Sequence, residues 1–184
     1  MPAYANAIIN FHEMTPAALC DVISSKFHLP VEQTAAQVIA YFNTGKQEDP
    51  TAPAVADLQH LLFSRMQTEC LLLIRKEHAL IFPLIRNIAS HNTRKLQPSI
   101  YENIHQSFQK ILLMLQKIRQ ITSHYLVQVY WSSAYKLCIS NMFTTEQLLQ
   151  QWIYVEQNIL YPAVLPACNI FHHHANNDND ISID

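Results

Sequence analysis

Two short stretches of this chain set an acid ahead of an aromatic–proline pair: EHALIFP, from Glu77 to Pro83, and EQNILYP, from Glu156 to Pro162. In each, the glutamate is followed by three residues, then Ile or Leu, an aromatic and proline. Both glutamates fall on otherwise apolar helical stripes. Leu58, Leu62, Met66, Cys70, Leu73, Glu77 and Leu80 follow steps of three and four, and Leu149, Trp152, Glu156, Ile159 and Ala163 share a second face. A carboxylate buried without a partner costs several kcal/mol, on the order of a whole domain's stability margin. Three arrangements relieve that cost: a metal neutralises the carboxylates, a histidine or a Lys/Arg pairs with them, or the helices turn them toward solvent. The histidine on the apolar stripe of the intervening segment is His105.

The elements that must carry these residues are helical. Thr15 and Pro16 supply a cap and a first-turn proline, Pro30 interrupts, and PVEQTAAQVIAYFN resumes as helix up to Gly45. Residues 44–53 read as a loop. A second helix runs from about Val55 to about Ala89. A third opens at Pro98, with Ser99 and Glu102 at capping-box spacing and a stripe of Tyr101, Phe108, Leu112 and Leu115. A fourth covers roughly 125–165, with a break near Asn141–Thr144. Pro83 and Pro162 are expected to kink or end their helices. Four long helices with short connections predict an all-α four-helix bundle over residues 1–170, followed by a polar, disordered tail over residues 171–184 that holds His172, His173 and His174.

Composition narrows the functions. The chain has 184 residues, 49 % of them hydrophobic, 14 % charged and a single glycine. That is enough apolar material for one full core, and too little glycine for a turn-rich β fold. A net charge of −2 with no basic block argues against nucleic acid or an anionic membrane as partner. No uncharged apolar run reaches membrane-spanning length, and the first residues lack the pattern of a secretory signal, so a cytoplasmic protein is expected. Cys20, Cys70, Cys138 and Cys168 lie far apart with no CxxC, as reduced, core-filling cysteines do. The chain shows no phosphate loop, no nucleophile elbow and no paired zinc motif, and no catalytic residue is assigned.

The doubled pattern resembles the hemerythrin-like family, and within it the di-iron proteins that repair iron–sulfur clusters. In that family the second and fourth helices each carry His-x-x-x-Glu-x-x-x-[Leu/Ile]-[Phe/Tyr]-Pro. The resemblance spans roughly residues 15–165 and implies a hemerythrin-like four-helix bundle with iron between the helices. This chain keeps both glutamates and both aromatic–proline pairs, and the resemblance implies Glu77, His105 and Glu156 as the metal ligands that remain. It carries Leu73 and Trp152 where the family has the two histidines, and Val31 at a ligand position of the first helix. His28 joins the site if the first helix turns it inward, whereas His60, His78, His91 and His124 read as ordinary surface or core histidines.

Three readings follow. One is an active family member that handles iron, oxygen or nitric oxide in cluster repair under stress. The favoured reading is a bundle with a lost or reduced metal site, with iron the candidate cofactor but none bound stoichiometrically, acting as a binding or regulatory module for a protein partner. The third is an unrelated helical binding domain. Leu73 and Trp152 are expected to lie buried, near each other or near His105.

Overall fold

The computed structural model describes residues 10–91 and 96–165, with side chains of 89–91 left aside. Within them the chain is all-α, and four long helical rods pack against one another. The first rod is α1 (Pro16–Ile23), a π turn (Ser24–His28), α2 (Leu29–Ala40) and a second π turn (Tyr41–Gly45). The second is α3 (Ala56–Lys76), a π turn (Glu77–Ile81) and α4 (Phe82–His91). The third is the unbroken α5 (Pro98–Ile121). The fourth is α6 (Ser133–Val155), a π turn (Glu156–Leu160) and the short α7 (Tyr161–Val164). α2 packs on α3 and α6, α3 on α5, α1 on α4, and α4 on α7.

The prolines do not end these rods. Each of three π turns closes one residue before a proline: Leu29 N–H bonds to Ser24 O, Phe82 N–H to Glu77 O, and Tyr161 N–H to Glu156 O. The next donor in that i→i+5 register is the nitrogen of Pro30, Pro83 or Pro162, which carries no hydrogen. The wide turn therefore lasts one turn and reverts to α-helix.

Other expectations shift in detail. Thr15 caps α1, accepting from Ala18 N at 3.3 Å. The predicted Ser99–Glu102 capping box is not formed, because the helix already starts at Pro98 with Gln97 as its N-cap. The fourth rod begins at Ser133 and runs without a break through residues 141–144. The residues before it turn sharply, with Ser123, His124 and Tyr125 all left-handed at φ 48°, 58° and 62°. The second rod's inward stripe is Phe63, Met66, Cys70, Leu73, Ile74, Glu77 and Ile81, while Leu58 and Leu80 are exposed. Cys20, Cys70 and Cys138 are buried and free, as expected. The tail over residues 171–184, with its three histidines, and Cys168 lie outside the described residues.

Two polar clusters brace the connections between the first and second rods and between the third and fourth. Asp49 accepts from Tyr41 Oη at 2.9 Å, from Thr51 and from Ser132, and Ser132 in turn caps α6 through Tyr135 N. Buried Glu146 accepts from Arg119, Tyr125 and Gln150, which ties the left-handed turn to α6.

Candidate metal site

Three of the four π turns contribute to one buried group. Glu77 and Glu156 are the first residues of their π turns and His28 is the last of its own. All three are essentially inaccessible to solvent. π turns widen a helix locally and recur at functional sites, because they re-aim a side chain without ending the element. Here they aim one side chain from each of three rods at a common point.

The geometry of that point is specific. One ligand atom from each of His28, Glu77 and Glu156 lies within 4.8 Å of the others. His28 Nε2 is 3.2 Å from Glu77 Oε2 and 3.9 Å from Glu156 Oε1. Glu156 Oε1 accepts from the Trp152 indole N–H at 2.7 Å, and the Tyr161 hydroxyl stands 3.5 Å from Glu77 Oε1. Each carboxylate thus has one oxygen facing an aromatic donor of the fourth rod. The others do not: His28 Nε2, Glu77 Oε2 and Glu156 Oε2 are buried with no hydrogen-bond partner.

The aromatics of the doubled pattern brace this group. Phe82 stacks on His28 with centroids 5.6 Å apart and planes 7° from parallel. Tyr161 of the second stretch reaches Glu77 of the first. Trp152 meets His28 edge-on at 4.5 Å and Phe108 edge-on at 6.2 Å. Leu73 and Trp152 are both buried, as expected.

Burial sets the charge states. It pushes the His28 imidazole down to about 3, with His78 adding to the shift, so His28 is neutral at pH 7. Burial also raises Glu77 well above the usual carboxylate range, reinforced by Glu156. It raises Glu156 too, against hydrogen bonds from Glu77, Trp152 and Tyr161. The close approach of His28 to Glu77 is therefore not an ion pair in the metal-free chain. A neutral imidazole faces a carboxyl pair that retains a proton.

Of the predicted ligands, the structure brings Glu77 and Glu156 together and leaves His105 apart. Ile104 and Phe108 take the core positions of α5, and half-buried His105 has Nδ1 3.0 Å from Gln157 Nε2 and Nε2 3.3 Å from Gln109 Nε2. The third member of the group is His28. The signal for it lies in the spacing of the prolines: Ser24 to Pro30 repeats the i to i+6 interval of Glu77 to Pro83 and Glu156 to Pro162. His60 stacks on Phe42 at 5.0 Å, and His124 sits in the left-handed turn. His78 is exposed, as read from the sequence, and its Nε2 stands 2.9 Å from His28 Nδ1.

No protein-family model matches this chain, and no curated protein matches it. No helix among the described residues is long and apolar enough to cross a membrane.

Proposed function

We propose that this chain is a hemerythrin-like bundle with a reduced centre, holding one divalent cation at His28, Glu77 and Glu156 and working as a cation-dependent binding or regulatory module. The observation that carries this reading is the meeting of three buried side chains, one from each of three rods, with His28 Nε2 and Glu77 Oε2 3.2 Å apart and without hydrogen-bond partners. Two carboxylates and a neutral imidazole around a divalent ion sum to zero charge, the arrangement a buried site tolerates best. The donor set of two oxygens and one nitrogen suits manganese, iron or zinc. A separation of 3.2 Å between His28 Nε2 and Glu77 Oε2 is compatible with two donors each about 2.1 Å from one ion. The cation would supply positive charge in place of the proton that the carboxyl pair now keeps.

The protein's own residues would do the rest. Trp152 holds Glu156 Oε1, the Tyr161 hydroxyl stands by Glu77 Oε1, and Phe82 fixes the imidazole plane. Because the ligands come from three rods, loading would clamp those rods together, and binding energy would appear as folding stability. Leu73 and Trp152 occupy the positions of the resembled family's helix-two and helix-four histidines, which supports one ion over a pair. Three buried free thiols suit a reducing compartment such as the cytoplasm.

The test is metal analysis of protein purified with manganese, iron or zinc present, alongside thermal unfolding with and without a chelator. About one ion per chain and a melting temperature that falls on chelation are expected. No bound ion and no change in melting would overturn the reading. That second result would favour the metal-free module, which has its own support in the proton retained between Glu77 and Glu156.

A further inference from the structure

We infer that His78 is the positioning residue that sets the tautomer of His28 and thereby makes its Nε2 a ligand. This rests on the single-cation reading above. His28 is buried, and its two ring nitrogens face different ways. Nε2 points at the carboxylates, and Nδ1 faces His78 Nε2 at 2.9 Å. A neutral imidazole carries one proton, on one nitrogen or the other. If His78 donates, His28 must hold its proton on Nε2, where it blocks a cation. If His78 accepts, the proton sits on Nδ1 and the Nε2 lone pair is free. The direction of this one hydrogen bond therefore decides whether the buried group can coordinate.

His78 is built for the accepting role. It follows Glu77 within the same π turn, so the turn that aims one ligand inward also carries the partner of another. Its ring lies 5.7 Å from Phe82, tilted by 34°, so both imidazoles pack against the phenyl ring that stacks on His28. His78 itself is exposed, so its far nitrogen can hold its own proton in water at no desolvation cost. A ligating histidine whose other nitrogen donates to an outer acceptor is a general arrangement, and loss of the acceptor lowers metal affinity roughly 10–100-fold.

The experiment uses zinc as probe, with the full chain, His78→Leu and His78→Gln. Leucine removes the acceptor, and glutamine restores one through its amide oxygen. Zinc affinity is expected to fall roughly 10–100-fold in His78→Leu and to recover most of the way in His78→Gln. In chelated samples His78→Leu should melt below the other two, because buried His28 loses a hydrogen-bond partner that His78→Gln restores. In zinc-loaded wild-type protein, long-range proton–nitrogen NMR should find the His28 proton on Nδ1. Unchanged zinc affinity in His78→Leu, or a His28 proton on Nε2 in the loaded protein, overturns this inference alone. A wild-type chain that takes up none of zinc, manganese and iron overturns the cation reading and this inference with it.

Discussion

The indole N–H of Trp152 donates to Glu156 Oε1 across one turn of helix, at 2.7 Å. A hydrogen-bond donor thus stands at the position, four residues before the glutamate, where the resembled family has a ligating histidine. Trp152 is also fully buried between His28 and Phe108. Truncation to alanine should cost roughly 3–5 kcal/mol. Trp152→Phe keeps most of the ring and loses the donor, so it should cost less, about 1–3 kcal/mol. Urea unfolding of chelated protein measures both, and an alanine cost well below 1 kcal/mol would show that Trp152 does not plug the core.

The carboxyl pair makes a signed prediction about pH. Both glutamates have folded pKa values raised by burial above the unfolded value of 4.5. The folded state then holds a proton that the unfolded state releases. Stability from this source is fully present below about pH 4.5 and is lost as pH rises through the folded values, at up to about 1.4 kcal/mol per pH unit for each proton. His28 acts oppositely: its pKa is pushed down to about 3, so it adds stability as pH climbs from there to the unfolded value of 6.5. Glu77→Gln removes a proton requirement while keeping the shape. In chelated protein its stability relative to wild type should therefore grow as pH rises above about 4.5. A gap that stays flat with pH would refute a shared proton. With a saturating divalent ion the wild-type trend should reverse, since cation and proton compete for the same oxygens.

Leu73→His combined with Trp152→His places an imidazole one turn before each glutamate. Iron affinity should rise over wild type, measured by titration of chelated protein under anaerobic conditions. The double variant should also be less stable without metal, because Trp152 leaves the core. Unchanged iron affinity in a folded double variant would mean that these positions do not face the group.

The left-handed turn offers a stabilising change. His124 is exposed, at φ 58°, and its N–H donates to Arg119 O at 2.8 Å, a bond that glycine would keep. His124→Gly should raise stability by about 1 kcal/mol, since an L-residue pays roughly 1–2 kcal/mol to sit in that region. A drop in the melting temperature would show that the imidazole makes a contact worth more than the strain.

The pairing of Glu77 with Glu156 was legible from two repeated stretches, because an acid on an apolar helix stripe has few destinations. The four rods were legible from periodicity. His28 was less so, for a physical reason: Pro30 reads as an interruption under α-helical rules, and a π turn removes the conflict. The same effect misplaced Leu80. Uniform stepping in threes and fours sends it inward, but the widened turn at Glu77–Ile81 moves the buried face onto Ile81, Phe82 and Ile85. His105 failed differently, since Ile104 beside it outcompetes an imidazole for the core, and amide partners were within reach outside it.

A π turn holds one residue more than the α-helical turn it replaces, so removing one residue there leaves the rest of the rod in register. Deleting exposed Ala79 should let Glu77–Ile81 relax to α-helix with the downstream face kept, leaving Pro83 to impose an ordinary kink. Deleting Gln67 in the regular part of α3 should instead rotate everything beyond it by about 100° and pull Cys70, Leu73 and Ile74 out of the core. The first variant should fold and take up no cation; the second should not fold. Architecture and coordination would then be separable by a single codon, as expected of a site laid over a bundle that did not need it.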